Sequence, residues 1–67
     1  MREALYEALE SKYRGEIAEG KANVEVYLRN PAGIGEHPDI VGAIDTQMHR
    51  IAEAEDKLVA LKKYFIK

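Results

Sequence analysis

One interruption governs what this chain can fold into. The segment Asn30-Pro31-Ala32-Gly33-Ile34-Gly35-Glu36-His37-Pro38 holds both prolines and two of the five glycines of a 67-residue sequence. Pro31 pushes Asn30 out of the helical region, and the glycines that follow favour a turn. Pro38 suits the first turn of a new helix, where its missing N–H is not needed. Asp39 beside it favours the positive end of that helix. The sequence therefore predicts an all-α antiparallel two-helix hairpin, with helices over about 2–29 and 38–66, as one domain over 1–67. At 1.5 Å per residue each helix would be ~40 Å long. The alternation in Val24-Glu25-Val26-Tyr27 is the nearest thing to a strand, but it lies inside a longer helical repeat.

That repeat is a seam on each helix. On the second, Ile40, Ile44, Gln47, Ile51, Ala54, Leu58, Leu61 and Phe65 recur at steps of four and three. On the first, Tyr6, Leu9, Tyr13, Ile17, Gly20, Val24 and Tyr27 do the same. Folding at the break pairs residues whose numbers sum to 67 or 68, such as Tyr13 with Ala54 and Gly20 with Gln47. Bulky residues then face small ones, as interdigitated cores require. The tyrosine stripe of Tyr6, Tyr13 and Tyr27 is read as core rather than as a stacking platform for bases or sugars. Gly20 costs ~1 kcal/mol against Ala in mid-helix, so its place on the seam implies a close approach. A buried Gln47 needs hydrogen-bond partners, and its own copy in a symmetric dimer would supply them.

A single hairpin leaves apolar surface over. Val41, Met48, Ala52, Val59 and Ile66 form a second line about a quarter-turn from the seam. On the first helix Ala4, Ala8, Ser11, Gly15, Ala18 and Ala22 form a stripe of small residues, read as a solvated face of good helix formers. Below ~70–80 residues one core rarely supplies more than ~3–5 kcal/mol without disulfides, metal or oligomerisation. The chain has no cysteine, so neither disulfides nor thiolate metal sites are available. The second line is thus the expected oligomer interface, in a homodimer of hairpins that forms a four-helix bundle.

Chemistry-bearing residues are few. The loop end carries Ile34, Glu36, His37 and Asp39, the expected docking place for any partner protein. His37, Glu36 and Asp39 are also the candidates for a metal or anion site, although Gly33-Ile34-Gly35 lacks the Lys-Ser/Thr end of a phosphate loop. The structural alternative has Ile34 plugging the bundle end and Asp39 serving the helix dipole. His49 has Asp45 and Glu53 four residues to either side, a spacing that suits exposed charge pairs better than a metal. No nucleophile and base stand close in sequence and no paired carboxylates face a pocket, so neither catalysis nor a cofactor is expected. Lys57, Lys62, Lys63 and Lys67 cluster near the end of the second helix, with Glu3, Glu7 and Glu10 alongside to offset them. With ten Lys+Arg against twelve Asp+Glu, nucleic-acid binding is disfavoured. Glu10 with Arg14, Glu25 with Arg29 and Glu53 with Lys57 should form helix pairs. No apolar run approaches a membrane span and the start does not look like a signal peptide, so a cytoplasmic location is expected.

From Asn30 the sequence Asn-Pro-Ala-Gly-Ile-Gly-Glu-His-Pro-Asp-Ile, then Ala43-Ile44-Asp45, Ala54-Glu55-Asp56-Lys57-Leu58 and Lys62-Lys63-Tyr64-Phe65, resembles small proteins encoded by tailed phages of marine bacteria. The resemblance spans roughly residues 27–65. It implies a viral accessory protein in the host cytoplasm and carries over no activity and no site residue. The expected function is a non-enzymatic, self-associating helical interaction module. The alternatives are a small metal- or anion-binding protein and a small nucleic-acid-binding regulator.

Overall fold

The computed structural model describes residues 1–30 and 39–67, in two helices, α1 (Arg2–Arg29) and α2 (Ile40–Tyr64). The expected all-α hairpin is what forms. The two helices lie against each other along a rod of 45 × 16 × 15 Å. Cross-helix bonds fix the antiparallel sense: Arg2 donates to the Ile66 carbonyl at 2.8 Å, and Asn23 donates to Gln47 at 3.1 Å.

The helix ends follow from local chemistry. Asn30 sits at φ −142°, ψ 75°, outside the helical region, as a residue before proline should. Its N–H still reaches the Val26 carbonyl at 2.9 Å and closes the last turn of α1. Asp39 is the N-cap of α2, and its carboxylate accepts from the Gly42 N–H at 2.8 Å. A Cβ on residue 42 would collide with that carboxylate, so glycine leaves the cap its room. Helix α2 therefore begins at Ile40, not at residue 38, and the proposed first-turn role of Pro38 lies outside the described residues. At the other end α2 stops at Tyr64, two residues short of the expected limit. Phe65 turns out at φ −128°, ψ 79°, and Ile66 follows off the helix with its carbonyl taken by Arg2.

The seam is buried as its period requires. Tyr6, Gly20, Ala54 and Leu61 are buried, and Ile17, Val24, Tyr27, Ile40, Ile44, Ile51 and Leu58 are half-buried. Two seam positions correct the sequence reading. Seven residues before Ile17 stands Glu10, not Leu9, so strict heptad spacing turns Leu9 to the flank, where it is exposed. Phe65 is exposed because the helix has already ended.

Mid-rod packing is close at Gly20. A Cβ there would lie 2.7 Å from Ile51 Cγ1 and 3.4 Å from the Gln47 carbonyl oxygen. The space over Gly20 is thus filled by Ile51 rather than by the Gln47 side chain. Gln47 instead turns aside, and its Oε1 accepts from Asn23 Nδ2 at 3.1 Å and from Arg50 Nη1 at 3.1 Å. Arg50 continues to Glu19 at 2.8 Å. The polar partners expected from a second copy are therefore supplied within one hairpin, and the network sets the register of α1 on α2. Gly20→Ala gains ~1 kcal/mol of helix propensity but overpacks Ile51 at a cost of ~1–3 kcal/mol. The expected net effect is a melting temperature lowered by several degrees at fixed protein concentration. An unchanged or higher value in a thermal melt would contradict this close contact.

Candidate interaction surface

The sequence nominated two places for function, the loop end and the second line of α2. Of the loop set, Ile34, Glu36 and His37 lie outside the described residues. Asp39 is described, and its carboxylate is committed to the cap of α2. The second line is where the helical count put it. Val41 is 78% exposed, Met48 49% and Val59 64%, and Ala52 is exposed between them. Ile66, 79% exposed, lies past the helix end and so does not continue that line by helical geometry. The small-residue stripe of α1 is also exposed, with nothing within 4 Å of the Cβ direction at Gly15.

The charged residues form a solvated network. Glu10–Arg14 at 3.3 Å, Glu25–Arg29 at 3.2 Å and Glu53–Lys57 at 3.0 Å are the three helix pairs the sequence proposed. His49 Nε2 lies 3.1 Å from Glu53, and among the described residues no group of three His, Cys, Asp or Glu side chains is placed to hold a metal ion. The lysine end is offset as expected in kind. Lys62 reaches Glu10 at 3.5 Å and Lys67 reaches Glu7 at 2.8 Å, while Lys57 is served by Glu53 of its own helix. Lys63 lies over the Tyr64 ring, 5.3 Å from its centroid. No helix among the described residues is long and apolar enough to cross a membrane.

These pairs carry a pH dependence. The Arg14 hydrogen bond outweighs burial and, with the charge of Lys62, holds the Glu10 carboxyl below its ordinary 4.5. The Lys57 hydrogen bond does the same for Glu53. Hydrogen bonds from Glu53 and Glu7 raise Lys57 and Lys67 above their ordinary 10.5. A depressed carboxylate stabilises the fold above its unfolded value and stops doing so as pH falls through the folded one. A raised lysine stabilises below its unfolded value and stops as pH climbs through the folded one. The melting temperature should therefore be flat between these ordinary values, 4.5 and 10.5, and fall gently below and above them. A melting temperature that rises on acidification below 4.5 would contradict the assignment.

A further surface was not singled out from the sequence. At the end of the rod away from the loop, an apolar groove of about 780 Å³ runs between the helices. Tyr6, Tyr13 and Leu61 belong to its floor and seam, Met1, Leu5 and Leu9 come from α1 and its start, and Ala60 and Phe65 from α2 and its end. Arg2 and Lys57 complete the lining, which contains no acidic residue. Lys57 Nζ stands 5.8 Å from the centroid of the Tyr13 ring. No member of the second line lines this groove.

No protein-family model, curated protein or solved structure matches the chain.

What the surfaces can do is decided by their own chemistry. Among the described residues, three large or small apolar side chains are buried, Tyr6, Ala54 and Leu61, against eleven large hydrophobic ones left exposed. Isolated exposed hydrophobics are ordinary, but lines and grooves of them are contact surfaces. The signal that would have found the groove was the step of four from Met1 to Leu5 to Leu9, running beside the tyrosine stripe.

Proposed function

We propose that this chain is a non-enzymatic helical interaction module that associates with itself, as a homodimer closing into a four-helix bundle. The observation that carries this reading is the imbalance between a thin internal core and the exposed line of Val41, Met48 and Val59 on α2. Each of those side chains is worth ~1.5–3 kcal/mol on full burial. A two-fold axis would pack the line against its own copy, so every contact counts twice. The resemblance to phage proteins suggests that the module serves as a viral accessory protein in the host cytoplasm.

Sedimentation equilibrium over a dilution series tests the reading. The mass of two chains is expected at tens of micromolar, with dissociation on dilution. A folded, helical species of one chain's mass throughout that range would overturn it.

A further inference from the structure

We infer that the groove at the open end of the hairpin is a docking site for an amphipathic helix of another protein, one whose apolar ridge is flanked by acidic residues. The inference adds a partner to the interaction module proposed above, and it does not depend on self-association, since the second line takes no part in the groove.

Shape comes first. The groove is bounded by two long helices lying side by side, and its length along α1, from Met1 to Tyr13, is ~18 Å. That accommodates about three turns of a third helix, which would rest on Leu5 and Leu9 from one side and Ala60 from the other. A helix in such a seat presents anchors at i, i+4 and i+7. The groove is open along its length, so it offers a seat for a rod-like partner rather than an enclosure for a small molecule.

Charge then selects the kind of helix. The chain carries a net charge of −2, yet the groove is lined by two cations, Arg2 and Lys57, and by no acid. Two such grooves facing each other would bring Arg2 and Lys57 of both copies together, with only the Glu53 partners of the lysines beside them, which disfavours pairing of the groove with its own copy. A partner with Glu or Asp beside its apolar ridge would meet Arg2 at one end and Lys57 at the other. Arg2 keeps its bond to the Ile66 carbonyl and Lys57 its pair with Glu53, so both cations are already held in place before a partner arrives.

The test uses the full-length chain and two labelled synthetic helices of about fourteen residues, stapled to hold the helix. Both carry leucine at the three anchor positions. One is flanked by glutamate and the other by lysine. Fluorescence anisotropy is expected to show the acidic peptide binding roughly tenfold more tightly than the basic one, with the gap narrowing as salt is raised. Leu5 is exposed, so Leu5→Glu should stay helical by circular dichroism and lose the acidic peptide. Lys57→Glu leaves Arg2 facing one acid and should abolish the preference between the two peptides. Val59→Glu, outside the groove, should leave peptide affinity unchanged.

The inference is overturned if neither peptide binds, if both bind equally, or if Leu5→Glu binds like the parent. It is also overturned if Leu5→Glu abolishes self-association, which would make the groove part of the contact between copies. Vesicles of mixed phosphatidylglycerol and phosphatidylcholine that pull down the parent chain but not Leu5→Glu, with no peptide binding, would assign the groove to a lipid surface instead. A parent chain that stays single in the dilution series but binds the acidic peptide would refute self-association alone.

Discussion

Replacing Leu61 by alanine is expected to unfold the hairpin at 25 °C. Leu61 is one of three buried apolar side chains among the described residues, and it sits on the seam opposite the buried Tyr6 end of α1. A Leu→Ala change in a core costs ~2–5 kcal/mol in lost burial and cavity. A single core of this size supplies roughly 3–5 kcal/mol in all. The loss is thus comparable with the whole. Far-ultraviolet circular dichroism of Leu61→Ala should show most of the helical signal gone, and ligand-free melts should show no cooperative transition. Tyr64→Ala, three residues on and 66% exposed, should retain both. If the two variants melt alike, the burial of Leu61 is not what holds this end of the rod together.

The second large effect falls on assembly. Val59→Glu places a carboxylate in the proposed contact between copies, where an unpaired buried charge costs several kcal/mol. An effect of ~3 kcal/mol would raise the dissociation constant about a hundredfold. Met48→Glu should act in the same direction. Both positions are exposed in the single hairpin, so its helical content should be spared. Glu53→Ala serves as the comparison: it removes an exposed side chain that pairs with His49 and Lys57, and a change within ~0.5 kcal/mol is expected. Equal weakening by Val59→Glu and Glu53→Ala across a dilution series would remove the second line of α2 from the interface.

Much of the architecture is written in local rules. Asn30 leaves the helix because Pro31 follows it, and the i,i+4 pairs at Glu10, Glu25 and Glu53 form because helical spacing sets those side chains beside one another. Apart from Leu9, the seam from Tyr6 to Tyr27 is buried or half-buried because its period matches that of Ile40 to Leu61. What the period could not give was the rotation of one helix against the other beyond the strict heptad. Leu9 fills a seam place only if the step is allowed to slip by one, and the heptad instead puts Glu10 there, bridged to Arg14 and Lys62. That slip shapes the groove, since it sets Leu9 on the flank with Leu5 beside Tyr6. Gln47 was legible as a polar residue in need of partners, but which partners depended on three-dimensional neighbours. Asn23 lies close across the hairpin and Arg50 one turn on, so a second copy is not needed to satisfy it. The limits of α2 were missed for chemical reasons too. The Asp39 carboxylate reaches the Gly42 N–H and caps α2 at its start, and the Arg2 guanidinium takes the Ile66 carbonyl just past its other end.

The bond from Arg2 to Ile66 holds the first and last turns of the rod side by side, remote from the loop. A pull applied through those two places would open the molecule like a zipper. Each layer, from Tyr6 and Leu61 inward to Gly20 and Ile51, would bear the load in its turn instead of sharing it. Tension in that direction should therefore separate the helices at far lower force than tension applied lengthwise across the rod, and the step at Gly20, where the Ile51 side chain sits directly against the α1 backbone, should be a point of marked resistance.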